Sequence, residues 1–154
     1  MGKSSMGKLE CAVELVKRGY KFVADDVVNI VKRSGNNLIG SSLEITKNLI
    51  EVKGIGIIDI KDIFGIGNIL DKTNIELVIK FEEWKYVKEY DRLGIDETYT
   101  EILKVRVPEV RIPVGPSRNL AVLVETASLN QRLKNKGHFT ARDLNDRLLK
   151  EINK

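Results

Sequence analysis

The residues best suited to chemistry stand at the start of the chain, where positions 2 to 8 match the pattern G-x-x-x-x-G-K. In loops of this kind, backbone N–H groups surround phosphate oxygens, a helix N-terminus adds partial positive charge, and the lysine reaches the β and γ phosphates. Apolar residues repeat at helical spacing directly afterwards, which predicts a helix over residues 7 to 18. The pattern therefore predicts a phosphate site composed of Gly2, Lys3, Ser4, Ser5, Met6, Gly7, Lys8 and Leu9.

Two features of this loop depart from the pattern. The residue after the lysine is normally Ser or Thr, whose hydroxyl binds magnesium, whereas Leu9 has no side-chain oxygen. A phosphate loop also normally follows a buried parallel strand, and only Met1 precedes this one. A flexible basic tail is therefore the alternative interpretation of the motif.

Three carboxylates can complete such a site. Asp25 and Asp26 follow a predicted strand over residues 20–24, and adjacent carboxylates raise each other's pKa toward a range useful for taking a proton from a hydroxyl. Glu51 is the only acid of its apolar stretch before Asp59, and a carboxylate is expected to share Mg2+ with phosphates. The alternatives are an Asp-rich turn for the pair and an edge-strand charge for Glu51.

Length and composition limit the class of protein. With 154 residues and 42% hydrophobic content, the chain is long enough for one buried core, so we expect a single domain over residues 1–154. We expect no membrane partner, because no apolar run approaches the roughly 18 to 20 residues that span a bilayer. The net charge is +4, with basic residues spread among acidic ones, so we expect no nucleic-acid partner.

The single cysteine and the single histidine have plain interpretations. Cys11 cannot form an internal disulfide and has the helical spacing of a packing residue, which fits a reducing compartment. His138 has no second candidate ligand beside it and is predicted to lie in a loop. Since the amino terminus also has no apolar secretory segment, we expect a cytoplasmic protein.

The remaining pattern predicts a mixed α/β fold. Strands are expected at residues 27–31 and 75–81, with one or two more over residues 102–114, and the two glycines within residues 50–59 predict a sharp bend. Asn119 is expected to cap a helix that buries Leu133. Thr140 is expected to open the last helix, and the positive-φ residues 35–37 to turn a hairpin.

Taken together, the chain resembles the carboxy-terminal catalytic domain of the HPr kinase/phosphorylase family, bacterial enzymes that phosphorylate a serine of the phosphocarrier HPr and also remove the phosphate. The resemblance covers essentially all 154 residues. It implies an α/β fold with a P-loop kinase-like core, a mixed central sheet and two carboxy-terminal helices. The stretches that carry it are G-x-x-x-x-G-K, E-L-V-K-R-G leading to V-A-D-D (14–26), I-E-V-K-G-I-G-I-I-D (50–59), F-G (64–65), D-R-L-G (91–94), P-V-G-P-S-R-N-L-A (113–121) and N-Q-R-L-K (130–134).

The resemblance also implies a role for each matching residue. The lysine matching Lys8 holds nucleotide phosphates, the acid matching Asp26 takes the serine proton and returns it in phosphorolysis, and the glutamate matching Glu51 helps to hold Mg2+. The arginine matching Arg92 belongs to the active site. The segment that serves mainly dephosphorylation matches Pro113, Val114, Gly115, Pro116, Ser117 and Arg118.

The same resemblance implies ATP and Mg2+ as cofactors, HPr as the protein substrate, a terminal helix that takes part in contacting HPr, and a homohexamer. Leu9 departs from the family's hydroxyl residue, Ser5 and Ser117 from its glycines, and Lys3 from a common acid. The strand entering the loop, the family's amino-terminal domain and an upstream catalytic histidine are not in the sequence, so we expect an incomplete active site. An oligomer is expected, because association would cover an exposed sheet edge.

Two other functions stay open at this point. Leu9 and the missing strand favour a non-catalytic remnant or an assembly partner of such a kinase. A P-loop kinase acting on a small molecule is the second alternative, because the sequence shows no substrate pocket.

Overall fold

A computed structural model of the protein describes residues 7–83 and 97–153. Among these residues one helix precedes the strands, a short helix divides them into two groups of four, and two helices follow the last strand. The helices are α1 (Lys8–Lys17), α2 (Ile60–Phe64), α3 (Leu120–Asn135) and α4 (Thr140–Ile152). The strands are β1 (Asn29–Arg33), β2 (Asn37–Ser41), β3 (Leu49–Val52), β4 (Gly56–Asp59), β5 (Lys72–Asn74), β6 (Val78–Glu83), β7 (Thr98–Ile102) and β8 (Val105–Val114).

The central sheet is mixed, with β8 between a parallel neighbour, β6, and an antiparallel neighbour, β7. Helices α1 and α3 cover one face of it, because alternate residues of β8 such as Val110 and Ile112 pack against Cys11 and Ala121. Val107 points to the other face and packs with Leu38 of β2. Together with two carboxy-terminal helices, this arrangement confirms the predicted α/β class.

Two smaller antiparallel sheets flank this layer. Strands β1, β2 and β5 form the sheet that contributes Leu38, and the turn between β1 and β2 contains Gly35 and Asn36 at positive φ, as expected. Strands β3 and β4 form a hairpin, which we call the β3–β4 hairpin. Gly54 and Gly56, with φ of 90° and 111°, lie in and just after its turn, so the predicted bend is a complete chain reversal.

Some local predictions were wrong. Residues 20–24 form no named strand, since only Phe22 makes a single bridge, with Ile69. The next strand starts at Asn29 rather than at residue 27, and β6 covers residues 78–83 instead of 75–81. In each case apolar side chains produced a strand-like pattern where the backbone lacks a partner strand of matching length.

The structure also tests the predictions for the two carboxy-terminal helices. Asn119 caps α3 as expected, by accepting a hydrogen bond from the N–H of Val122. Leu133 of α3 is exposed rather than buried. Helix α4 begins at Thr140, as expected, with Phe139 at its N-cap and no side-chain cap. Within residues 7–83 and 97–153, no helix combines the length and apolar character needed to cross a bilayer.

Helices α1 and α3 begin beside each other. Gly7 is the N-cap of α1 and has φ of 85°, a left-handed conformation that glycine adopts readily. A Cβ on Gly7 would lie 3.1 Å from Cδ1 of Leu120, the first residue of α3. The two helix starts are therefore close, and a larger residue at position 7 would require the Leu120 side chain to move.

The other face of the central sheet carries a buried carboxylate, that of Glu109, whose side chain is only 3% exposed. Lys80 donates to it across 2.8 Å and Arg111 across 3.1 Å, and Arg111 also contacts Glu82 at 3.3 Å. Burial alone raises the pKa of Glu109, but the hydrogen bonds and charges of Lys80 and Arg111 outweigh it, so that the pKa lies below its ordinary value. The network joins β6 to β8 next to their carboxyl ends.

We predict that Glu109→Gln lowers the free energy of unfolding at neutral pH by about 1 to 3 kcal/mol, because two charge-assisted hydrogen bonds are lost. A depressed pKa stabilises the folded state above the unfolded-state pKa, and this contribution is lost as pH falls through the folded-state pKa. Urea unfolding at several acidic pH values gives the free energy of unfolding at each pH. This free energy should change less with pH in the variant than in the wild type. Glu101→Gln, an exposed substitution on β7, is the control, and an equal effect there would contradict the assignment.

We also predict that Gly7→Ala destabilises the protein more than Gly19→Ala. Both positions have positive φ, which costs an alanine about 1 kcal/mol, but a Cβ at Gly19 meets nothing within 4 Å whereas one at Gly7 displaces Leu120. Thermal unfolding measures the difference. Adding Leu120→Ala to Gly7→Ala should recover part of the loss, and equal melting temperatures for the two glycine variants would refute the contact.

Candidate active site

The start of α1 is where the sequence predicted phosphate binding. The Gly7 carbonyl accepts a hydrogen bond from the N–H of Cys11 at 3.0 Å, which closes the first turn of the helix, and Lys8 is its first residue. The N–H groups of this first turn have no partner within the helix and point toward an approaching anion. Gly2, Lys3, Ser4, Ser5 and Met6 lie outside the described residues.

The 113–118 segment lies at the same edge of the fold. Strands β6 and β8 are parallel, so their carboxyl ends meet at one edge, and the segment begins with the last two residues of β8, Pro113 and Val114. Its remaining residues form a turn closed by a hydrogen bond of 3.2 Å from the Arg118 N–H to the Gly115 carbonyl, directly before α3. Because α3 starts against Gly7, the structure brings this segment and the phosphate-loop end together.

The three candidate carboxylates also converge. One carboxylate oxygen of Asp25 accepts a hydrogen bond from the backbone N–H of Glu51 at 3.3 Å, although the two residues are 26 positions apart. Partial burial raises the pKa of Asp25, and the neighbouring charges of Asp26 and Glu51 raise it further, against the opposing effects of the Glu51 N–H and of Lys8. Lys8, Asp26 and Glu51 therefore all lie within electrostatic range of Asp25.

The family resemblance singled out Asp26 of the pair, and the structure adds a contact for Asp25. The signal available from the sequence was the adjacency of the two acids, which does not distinguish a carboxylate that ties two loops from one that faces a ligand. Asp25 is tied to the backbone of β3. Asp26 is exposed in the described structure, with its carboxylate next to the same cluster.

The residues present fit a magnesium ion at Glu51. This carboxylate is exposed on β3, beside the Asp25 hydrogen bond, and Mg2+ is commonly bound by one or two carboxylates, substrate phosphates and waters. Among the described residues, no group of three or more His, Cys, Asp and Glu side chains is arranged to hold a metal without other ligands. A bound phosphate chain would therefore have to supply part of the coordination.

Leu9 contributes nothing to such coordination. Its side chain is half-buried and packs against the apolar cluster formed by Val16, Phe22, Ile50 and Ile60. Leu9 is therefore a packing residue, and its side chain belongs to the apolar core beside the loop. Cys11 is buried in the neighbouring cluster under the sheet, as expected for a packing residue.

Of the two arginines predicted to belong to the site, one lies within the described residues. Arg92 lies outside the described residues, as does the D-R-L-G stretch around it. Arg118 is exposed at the end of the 113–118 segment, close to the start of α3. The structure therefore collects Lys8, Asp25, Asp26, Glu51 and the 113–118 segment around the start of α1.

Comparison with known proteins gives one family. The model of the HPr Serine kinase C-terminal domain matches residues 1–148. The HPr kinase/phosphorylase of Thermoanaerobacter pseudethanolicus is 51% identical over 152 residues, which are 99% of this chain and 50% of that protein. The HPr kinase/phosphorylase of Geobacter sulfurreducens is 44% identical over 149 residues, covering 97% of this chain and 47% of that protein. The chain spans about half the length of these curated relatives.

A solved structure supports the same relationship. The Hpr(Ser) kinase/phosphatase from Coxiella burnetii superimposes with a TM-score of 0.83 at 32% sequence identity, covering 94% of this chain and 87% of that chain. The family model, the identities and the shared fold agree along nearly the whole sequence. The chain therefore belongs to the family of HPr serine kinase C-terminal domains.

Proposed function

We propose that this chain carries the phosphoryl-transfer site of an ATP-dependent kinase/phosphorylase that acts on a serine of the phosphocarrier HPr. The observation that carries the proposal is the grouping of Lys8 with Asp25, Asp26 and Glu51 at the start of α1. Phosphoryl transfer depends mainly on positioning and charge neutralisation, so it needs a cation for the phosphates, a metal ligand and one base for the hydroxyl. Each of these is available from a different residue of the group.

In this proposal Lys8 and the N–H groups of the loop and first helical turn hold the phosphates of ATP. The loop comprises residues 2–9, although Leu9 contributes only its backbone. Asp26 faces the acceptor hydroxyl as the general base, while Asp25 holds the backbone of β3 in place. The division of roles follows from the contact that Asp25 already makes.

The kinase step forms one bond and breaks one. The serine oxygen attacks the γ phosphorus of ATP, the bond from that phosphorus to the β–γ bridging oxygen breaks, ADP leaves, and the serine proton passes to the Asp26 carboxylate. In phosphorolysis, an oxygen of inorganic phosphate attacks the phosphoserine phosphorus, and the released serine oxygen takes the proton back from Asp26. The products of that direction are serine and pyrophosphate.

Glu51 is the residue that would hold Mg2+ in this proposal. When bound, the metal would neutralise negative charge on the phosphates. The exposed position of Glu51 on β3 leaves its carboxylate accessible to a ligand. Arg92 as an active-site cation, and the 113–118 segment as the part that serves dephosphorylation, rest on the family relationship and on the position of that segment beside Gly7.

A non-catalytic partner of such a kinase is the second candidate, and Leu9 is the observation that favours it. A leucine packed in the core removes one oxygen ligand that a phosphate loop ordinarily gives to the metal. This candidate predicts binding to HPr or to an active kinase without phosphoryl transfer.

The surface supports protein partners. Leu144, Leu148 and Ile152 form one exposed apolar side of α4, since they follow one another at i, i+4 and i+8. We propose that this side contacts HPr or a second copy of the chain, within a homo-oligomer that is a hexamer by family. We further propose a cytoplasmic location, in which Cys11 stays a free thiol.

We predict that Asp26→Asn lowers transfer of phosphate from ATP to HPr by about 10² to 10⁴-fold, the usual cost of removing a general base. Lys8→Ala should also abolish transfer, through loss of nucleotide binding. Radiolabelled ATP, Mg2+ and purified HPr give the measurement, with Asp62→Asn on exposed α2 as the control. Transfer that survives Asp26→Asn but not Lys8→Ala would show that the base lies elsewhere, and an inactive wild type that binds HPr would favour the non-catalytic candidate.

We predict that the protein is oligomeric in solution at micromolar concentration and that Leu148→Glu shifts it toward smaller species, because a charge would be placed in an apolar contact. Light scattering coupled to size-exclusion chromatography measures the mass. Arg147→Glu changes charge at the adjacent position of the same helix and is the matched control. A stable monomer for the wild type would contradict the prediction.

A further inference from the structure

Leu9 packs the start of α1 on an apolar cluster that the β3–β4 hairpin also enters. It directly follows Lys8, and its side chain packs on the cluster that contains Ile50 of β3. Val13 packs on the same cluster one turn further along the helix. Leu9 therefore makes its packing contact directly beside Lys8, the residue that holds phosphate in the proposed function.

The hairpin has two faces, and Leu9 and Glu51 are on different ones. Ile50, Val52 and Ile58 pack in the cluster below, where Leu9 lies. Side chains alternate along a strand, so Glu51 lies on the outer face, opposite Ile57 in the strand register. Ile57 is 72% exposed, which identifies that face as the solvent side. The strand itself separates the leucine from the Glu51 carboxylate.

This geometry changes how the two ends of the site are linked. In an ordinary phosphate loop, the Ser or Thr after the lysine binds the same magnesium ion as an acid on a neighbouring strand, so the link forms when metal and nucleotide bind. Here both elements pack into the same apolar cluster, which needs no ligand to form. The hydrogen bond from the Glu51 N–H to Asp25 fixes the hairpin from its other side.

We propose that Leu9 is a positioning residue, which seats the Lys8 end of α1 on the Glu51-bearing hairpin and so aligns the phosphate cation with the metal carboxylate by packing rather than through a shared ion. The proposal rests on the proposed function, since it concerns the alignment of that site. It assigns the side chain of Leu9 no contact with nucleotide or metal.

The test measures the dissociation constant for ATP by calorimetry, with and without Mg2+, at a temperature where melting curves show every variant to be folded. Leu9→Ala should weaken ATP binding about five- to tenfold in both conditions, because misplaced groups lose much of their binding effect. Leu9→Met keeps the side-chain volume and should stay within about twofold of the wild type. Val13→Ala is the matched control, since it removes methyl groups from the same cluster one turn away.

The control separates positioning from general stability. Both alanine variants should melt at lower temperatures, because both leave space in the cluster. Only Leu9→Ala should weaken ATP binding. Equal weakening in Val13→Ala, or none in Leu9→Ala, would mean that Leu9 is an ordinary core residue and would overturn the proposal.

A second part of the test places a hydroxyl at position 9. Leu9→Ser should behave like Leu9→Ala with and without Mg2+, because the side chain points to the inner face of the hairpin. If Leu9→Ser bound ATP much more tightly than Leu9→Ala, and only when Mg2+ was present, position 9 would face the metal and the proposal would be wrong. Absence of ATP binding by the folded wild type would instead refute the proposed function, and the role of Leu9 with it.

Discussion

The arrangement of the candidate site depends on the packing of α1 between two apolar surfaces. Cys11 and Leu15 on one side of the helix pack against the central sheet and α3. Val13 and Val16 on the other side pack against the β3–β4 hairpin. A helix held on two sides has a fixed axis and a fixed start, so the N–H groups of its first turn point in one direction. The phosphate contacts proposed for these N–H groups depend on that direction.

Polar contacts further fix the positions of the candidate site residues. The hydrogen bond between Asp25 and the Glu51 backbone spans two segments that share no strand pairing. It brings carboxylates together, and the pKa of Asp25 is raised first by burial and then by the charges of Asp26 and Glu51. Grouped like charges disfavour the folded state unless a cation or a proton is near. Lys8 provides one positive charge within electrostatic range of Asp25.

The sequence predicted the elements whose signals are local. Helix α1 was expected over residues 7–18 and occupies Lys8–Lys17, and the Asn119 cap is set by one side chain and one N–H. Strand limits were less accurate, because a strand ends where its partner ends. The run around Phe22 has the composition of a strand but pairs at a single position.

The same contrast between local and long-range signals holds for the candidate site. The loop motif and the acids were recognisable by type and spacing, and the family resemblance assigned their roles. The contact between Asp25 and Glu51 joins positions 26 residues apart, so no spacing rule indicates it. The orientation of Leu9 depends on the hairpin that packs against α1, and the sequence left two orientations open until that hairpin was located.

The contact between Gly7 and Leu120 has a consequence for how such a protein can change over generations. The Leu120 side chain lies where a Cβ on residue 7 would stand, 3.1 Å from that position. The size of the residue that begins α3 therefore bears on which residues can stand at the start of α1. A smaller side chain at position 120 would relax one of the two constraints that favour glycine at position 7, and the positive φ would remain.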